Sequence, residues 1–138
     1  MSAADRRLAV HESGHTVVAL HYGVAIAHVT LTEVKFRDRD QANVELHALA
    51  AITIAGAVAE QKAFGRAILD ADDQESLALQ LDVSARTDTM PFARAHVGAL
   101  AAAILTQHWS LVLRVADALV RRRRLDATDV FRLVREEP

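Results

Sequence analysis

Twenty-seven of the 138 residues are alanine, set against five glycines, two prolines and 4% aromatic residues, and that ratio narrows the fold before any motif is considered. Alanine is the strongest helix former and carries only a methyl group, so helices rich in it can bring their backbones close together. A β-sandwich or barrel would instead draw on β-branched and aromatic residues with frequent turn residues. The expectation is a mainly α, α-rich fold with one or a few short β-strands. The length suits a single domain over 1–138, and a hydrophobic share of 51% can fill its core.

Charge and cysteine content exclude several classes of function. The net charge is -2 and the pI about 6.4, so no global basic field attracts nucleic acid or an anionic membrane. No cysteine is present, which removes disulfides, thiol nucleophiles and cysteine-type zinc sites. Any bound metal must then use His, Asp or Glu. The N-terminal residues lack the basic stretch and apolar run of a secretory signal, and no run of 18 apolar residues occurs; the expectation is a cytoplasmic chain without a transmembrane segment.

Periodicity and punctuation divide the chain. From Asp5 to about His21 apolar residues and alanine follow helical spacing, and Tyr22-Gly23 supplies the stop. Val24 to Phe36 is β-branched and partly alternating, with Val29 and Leu31 on one phase and Val34 and Phe36 on the other, which reads as one strand bent near Glu33. After a polar loop, Ala42 to Phe64 is an alanine-rich helix ending at Gly65, and Gly56 within it marks a close helix contact. A further helix is expected over Gln74 to Arg86, with a break at 87–91. Phe92 to about Arg123 reads as one long helix or two end to end, kinked at Gln107-His108-Trp109-Ser110. Asp126 and Asp129 form a capped start to a short last helix, with Leu125 stapled onto Val130.

The first helix contains His11-Glu12-Ser13-Gly14-His15, an HExxH sequence. Residues i and i+4 lie about 40° apart on a helix, so His11 and His15 share one face and can place two imidazole nitrogens on one ion. Glu12 is rotated by about 100° and is better placed to take a proton than to ligate. Zinc lowers the pKa of a bound water to about 7, and an adjacent carboxylate takes the proton as that water attacks a carbonyl. Shuffling a chain with seven His and seven Glu yields the pattern in about 2% of cases, so its helical setting carries much of the weight. A catalytic zinc usually has three protein ligands and an open position. The candidates for the third are Asp72, Asp73 and Glu60. Gly14 leaves room for a second segment to approach the motif. The remaining histidines, His21, His28, His47, His96 and His108, read as surface or packing residues, Arg121 to Arg124 as a solvated helix end, and Trp109 as core.

Four blocks in this order resemble the peptidase domain of the FtsH family of ATP-dependent zinc metalloproteases. Leu8 to Leu20 resembles the family's HEAGH helix, and His28 to Val34 its following strand. Ala55-Gly56-Ala57-Val58-Ala59-Glu60 with Phe64-Gly65 resembles its "GGRAAEEIVFG" segment, and Ile104 to Val134 its C-terminal helices. The resemblance implies a zincin-like helical peptidase fold, Zn2+ as cofactor with His11 and His15 as ligands, and Glu12 as general base. It also implies an aspartate as third ligand: Asp73 when one residue is deleted from the preceding loop, with Asp72 second, since ungapped alignment places Gln74 there. The sequence contains no phosphate-binding loop, so the expectation is the peptidase unit without the family's AAA+ module. The expected activity is that of a zinc metalloendopeptidase acting on a peptide or unfolded protein, with a separate ATPase or delivery partner. The alternative is a weak or inactive peptidase-like module serving as an interaction or adaptor domain.

Overall fold

The computed structural model describes residues 2–37, 46–65 and 94–136. Over these the chain is mainly helical with one small sheet. In chain order the elements are α1 Ala3–His21, β1 Ile26–Thr30, β2 Val34–Phe36, α2 Leu46–Phe64, α3 Arg94–Gln107, α4 Trp109–Arg122, β3 Arg124–Asp126 and α5 Ala127–Arg135. The helix and break expected over 74–91, and the first residues of the helix expected from Ala42, lie outside the described residues.

The first helix is the axis of the molecule. Ser2 caps it, its hydroxyl accepting from the Asp5 N–H at 3.0 Å, and the chain leaves it through Tyr22 and Gly23, whose φ of +76° belongs to the left-handed region that glycine enters freely. Eleven consecutive residues, Ala9 to Ala19, are buried, which is three full turns with every face covered. The helices α2, α3 and α4 and the strand β1 surround it. Because α1 carries His, Glu, Ser and Thr on this stretch, that enclosure is unusual for a helix of its composition, and the polar groups must find partners inside.

Close approach between α1 and α2 depends on small residues. A Cβ built on Gly14 would stand 2.6 Å from the Ala55 carbonyl oxygen and 2.7 Å from the Ala59 Cβ, closer than real Cβ contacts permit. The alanines Ala50, Ala51, Ala55 and Ala59 on α2 are buried, so the expectation of closely packed alanine-rich helices holds at the contact where it matters most. Larger side chains, among them Leu105, Val112, Val115, Leu119, Leu125 and Val130, close the core on the other side of α1.

The strand region corrects the sequence reading. The single bent strand expected over Val24 to Phe36 is a hairpin: β1 and β2 pair antiparallel, with Val29 opposite Val34 and a bulge between Ile26 and His28. The phase change between Leu31 and Val34 is where the chain reverses. Thr30 stabilises the reversal, its Oγ1 accepting from the N–H groups of Thr32 and Glu33, each at 3.2 Å, while its own N–H donates to the Glu33 carbonyl at 2.9 Å. A third strand, β3, was not expected. It follows α4 directly and pairs antiparallel with β1, Leu125 opposite Val29, so β1 is the central strand. Three residues are too few for periodicity to reveal a strand.

The C-terminal half follows the expected punctuation. The long helical stretch breaks at His108, and α3 and α4 are bent by 81° at that break. Among the described residues no single helix is long and apolar enough to cross a membrane; only this bent pair passes by length and composition together. Asp126 accepts from the Asp129 N–H at 2.9 Å and Asp129 accepts from the Asp126 N–H at 3.1 Å, a complete capping box, with Leu125 and Val130 both in the core. Arg122 pairs with Asp129 and Arg123 with Asp5 at the exposed end of α4. Trp109, the first residue of α4, is half-buried and packs against the core from its edge, with the Lys62 ammonium 5.1 Å from its ring centre.

Two outcomes follow from this packing. Gly14→Ala should destabilise the fold by about 1–3 kcal/mol by forcing α1 and α2 apart. Gly98→Ala should instead stabilise it by about 0.5–1 kcal/mol, since among the described residues the added methyl meets only Ile54 Cδ1 at 3.9 Å. Urea midpoints of the two variants measure both. The Arg123 guanidinium holds the Asp5 carboxyl below the usual aspartate value, and the Asp126 N–H, with Arg122, does the same for Asp129. Groups with depressed folded values stabilise above their unfolded pKa, so this contribution is lost as pH falls below about 4. Asp129→Asn should flatten the acid limb of stability against pH.

Candidate metal centre

The buried polar side chains among the described residues gather in one place: His11, Glu12, Ser13, His15 and Thr16 on α1, and Glu60 on α2. Two of them are satisfied by carbonyls. The Ser13 hydroxyl donates to Val112 O on α4 at 2.6 Å, and Thr16 Oγ1 donates back to Glu12 O at 2.8 Å. The Ser13 bond ties α1 to α4 and so helps set the rotation of α1 about its axis, whereas the Thr16 bond lies within α1 itself.

His11 and His15 lie one turn apart on the α2 side of α1. Their Nε2 atoms face each other at 3.0 Å, with ring centres 4.7 Å apart and the rings nearly perpendicular, at 78°. Each Nδ1 is held from behind. His15 Nδ1 lies 2.6 Å from the Ile52 carbonyl oxygen, which can only accept, so Nδ1 carries the hydrogen and donates it. His11 Nδ1 lies 2.9 Å from Glu60 Oε1, and the same carboxylate accepts from Arg7 Nε at 3.2 Å. An imidazole that donates from Nδ1 presents a lone pair at Nε2. Two such lone pairs 3.0 Å apart repel unless a positive charge lies between them, and that charge is either a shared proton or a cation.

The wall opposite the imidazoles is Gly56. A Cβ at that position would stand 2.5 Å from His15 Nε2 and 2.6 Å from His11 Nε2, so both imidazoles pack into the place a side chain would occupy. The close contact expected at Gly56 is therefore a contact with the motif itself, while Gly14 on α1 lets α2 come near enough to make it. Anchored Nδ1 groups with convergent Nε2 atoms form the outer-shell pattern of histidines that bind metal.

Glu12 follows His11 on the helix and is buried at 6% exposure. Glu60, a candidate third ligand by sequence, is at the other ring nitrogen of His11, where it accepts the Nδ1 hydrogen and orients that ring. Asp73 and Asp72 lie outside the described residues. Among the described residues no group of three His, Asp or Glu is placed to share an ion. Two contributors were missed by sequence reasoning. The Ile52 carbonyl is backbone and leaves no residue-type signal, and Arg7 is one turn before His11 but pairs across to α2.

Comparison with models of known protein families gives no match, and comparison with curated proteins gives none either.

Gly56→Ala should cost about 1–3 kcal/mol and displace both rings, because neither α1 nor α2 can retreat without opening the Gly14 contact. Glu60→Ala should cost a similar amount, about 1–3 kcal/mol, by leaving a buried N–H without its acceptor. Denaturation midpoints, with the histidine ring proton and nitrogen shifts in NMR, check both; unchanged ring shifts in Gly56→Ala would contradict the geometry above.

Proposed function

We propose that the chain is a zinc-dependent peptidase of the FtsH-like type, with His11 and His15 as ligands and Glu12 as general base. The observation that supports this most is the pair of convergent Nε2 atoms, each backed by an anchored Nδ1 and faced by a glycine. The HExxH spacing and the ordered resemblance to the FtsH peptidase blocks point the same way. Zn2+ bound there would supply Lewis acidity and a water acidified to near neutrality.

The chain's own residues do the rest. The Glu60 carboxylate and the Ile52 carbonyl hold the two imidazoles in the tautomer that exposes Nε2, and Glu60 raises the basicity of His11 as a ligand. Glu12 takes a proton at its carboxylate when water attacks a peptide carbonyl, and returns it to the leaving amine. Burial of the motif among α2, α3, α4 and β1 restricts water and strengthens these charge interactions. Asp73, or in second place Asp72, is the proposed third ligand. A peptide or unfolded protein is the proposed substrate, brought by a separate ATPase or delivery partner where it is folded.

A second reading is favoured by one distance. Two nitrogens on a tetrahedral zinc stand about 3.3–3.4 Å apart, from Zn–N lengths of about 2.0–2.1 Å, whereas 3.0 Å suits two imidazoles sharing one proton. A metal-free module with this pair as a buried structural bond would serve as an adaptor.

Elemental analysis and a peptide-library digest separate the two. The peptidase reading expects one zinc per chain at this site and cleavage abolished by chelator and restored by Zn2+. Glu12→Gln should keep the metal while lowering kcat by about 10²-fold or more. Failure of the site to take up zinc, or full activity of Glu12→Gln, refutes it and leaves the adaptor.

A further inference from the structure

We propose a second metal site, for a borderline divalent transition-metal cation such as Zn2+, Cu2+ or Ni2+, at the α3–α4 bend, built by His21 and His108. These two histidines are 87 positions apart in sequence, and neither shares spacing with the HExxH motif. The fold nevertheless brings His21 Nδ1 to 3.4 Å from His108 Nε2, with ring centres 5.5 Å apart and the rings tilted by 59°. That separation is long for a direct hydrogen bond, whose usual length is about 2.9–3.0 Å, and equals the spacing of about 3.3–3.4 Å between two imidazole nitrogens on one tetrahedral ion.

The surroundings independently favour positive charge. Helix α1 ends at His21 and α3 ends at Gln107, so two helix C-termini, each carrying roughly half a negative charge, meet at the pair. The start of α4 at Trp109 offsets part of this field, its first turn being bonded through the Val112 N–H to the His108 carbonyl at 3.1 Å. The Tyr22 ring stands edge-on to His21, with centres 5.3 Å apart, and limits how far that imidazole can swing. His21 is exposed and His108 half-buried, so an ion has open access and its remaining positions can be filled by water. Imidazole donors select this class of cation over Ca2+ or Mg2+, which prefer oxygen.

A cation bound here joins the end of the helix that carries His11 and His15 to the bend that closes the core. It stabilises the folded state by mass action and restrains the C-terminal end of α1. The site does not depend on the peptidase reading, because it uses none of the same residues.

Equilibrium dialysis of the untagged chain against Zn2+ alone, comparing wild type with His21→Gln and His108→Ala, tests it. His21→Gln changes an exposed side chain, and circular dichroism confirms folding of both variants. The expected result is that each variant loses one equivalent, or binds it more weakly by at least the about tenfold that even an outer-shell change costs. The ring resonances of His21 and His108 should move together on addition of Zn2+ to the wild type. If wild type takes up two equivalents and the variants one, both sites stand. If wild type takes up one and the variants none, the bend site stands and the HExxH site fails. Equal uptake and equal midpoints in all three proteins, or unmoved His21 and His108 resonances, overturn the bend site.

Discussion

The contact between α1 and α2 is made where side chains are missing. Gly14 accepts the Ala55 carbonyl and the Ala59 methyl, and Gly56 accepts two imidazoles, so the two helices meet through a pair of glycines with the histidines between them. Everything at the site inherits its position from that approach. The Ile52 carbonyl reaches His15 and the Glu60 carboxylate reaches His11 because α2 lies close enough to bring both within hydrogen-bonding distance. Glycine weakens helix interiors, so its place on both sides of one contact marks a fold that gives up local helix stability for proximity.

Enclosure follows from the same contact. With α2 on one side and α3, α4 and β1 around the others, α1 buries six polar groups together with Glu60's helix, and an interior of that kind is stable only when its donors and acceptors are paired. Ser13 to Val112 and Thr16 to Glu12 answer for two of them, and the Nδ1 bonds orient the histidines. Polar contacts run in series there, from Arg7 at the surface through the Glu60 carboxylate to the His11 imidazole. The series places the Arg7 guanidinium against a buried carboxylate.

The sheet and the C-terminal helix close the molecule around this centre. Val29 on β1 and Leu125 on β3 are fully buried and opposite each other, and the capping box at Asp126 and Asp129 turns the chain from β3 into α5 so that Val130 reaches the core. Caps of this type are local: three or four residues carry the signal, and the reading from sequence agrees with the structure to the residue. The hairpin at Thr30 to Val34 was half readable. Its change of phase was visible, but a phase change marks a bend and a reversal alike, and only pairing distinguishes them.

Alanine content, glycine placement and the HExxH spacing determined from the chain alone that this would be a mainly helical fold with two histidines on one helix face, because helical geometry is local and repeats every few residues. The break at His108, the stop at Gly23 and the last cap were readable for the same reason. Tertiary structure decided which atoms stand behind each imidazole. Glu60 became the partner of His11 Nδ1, a backbone carbonyl at Ile52 set the tautomer of His15, and His21 met His108 across 87 positions. None of these has a sequence period, since each arises from the angle and distance at which two helices pack, and those are set by the summed fit of many side chains.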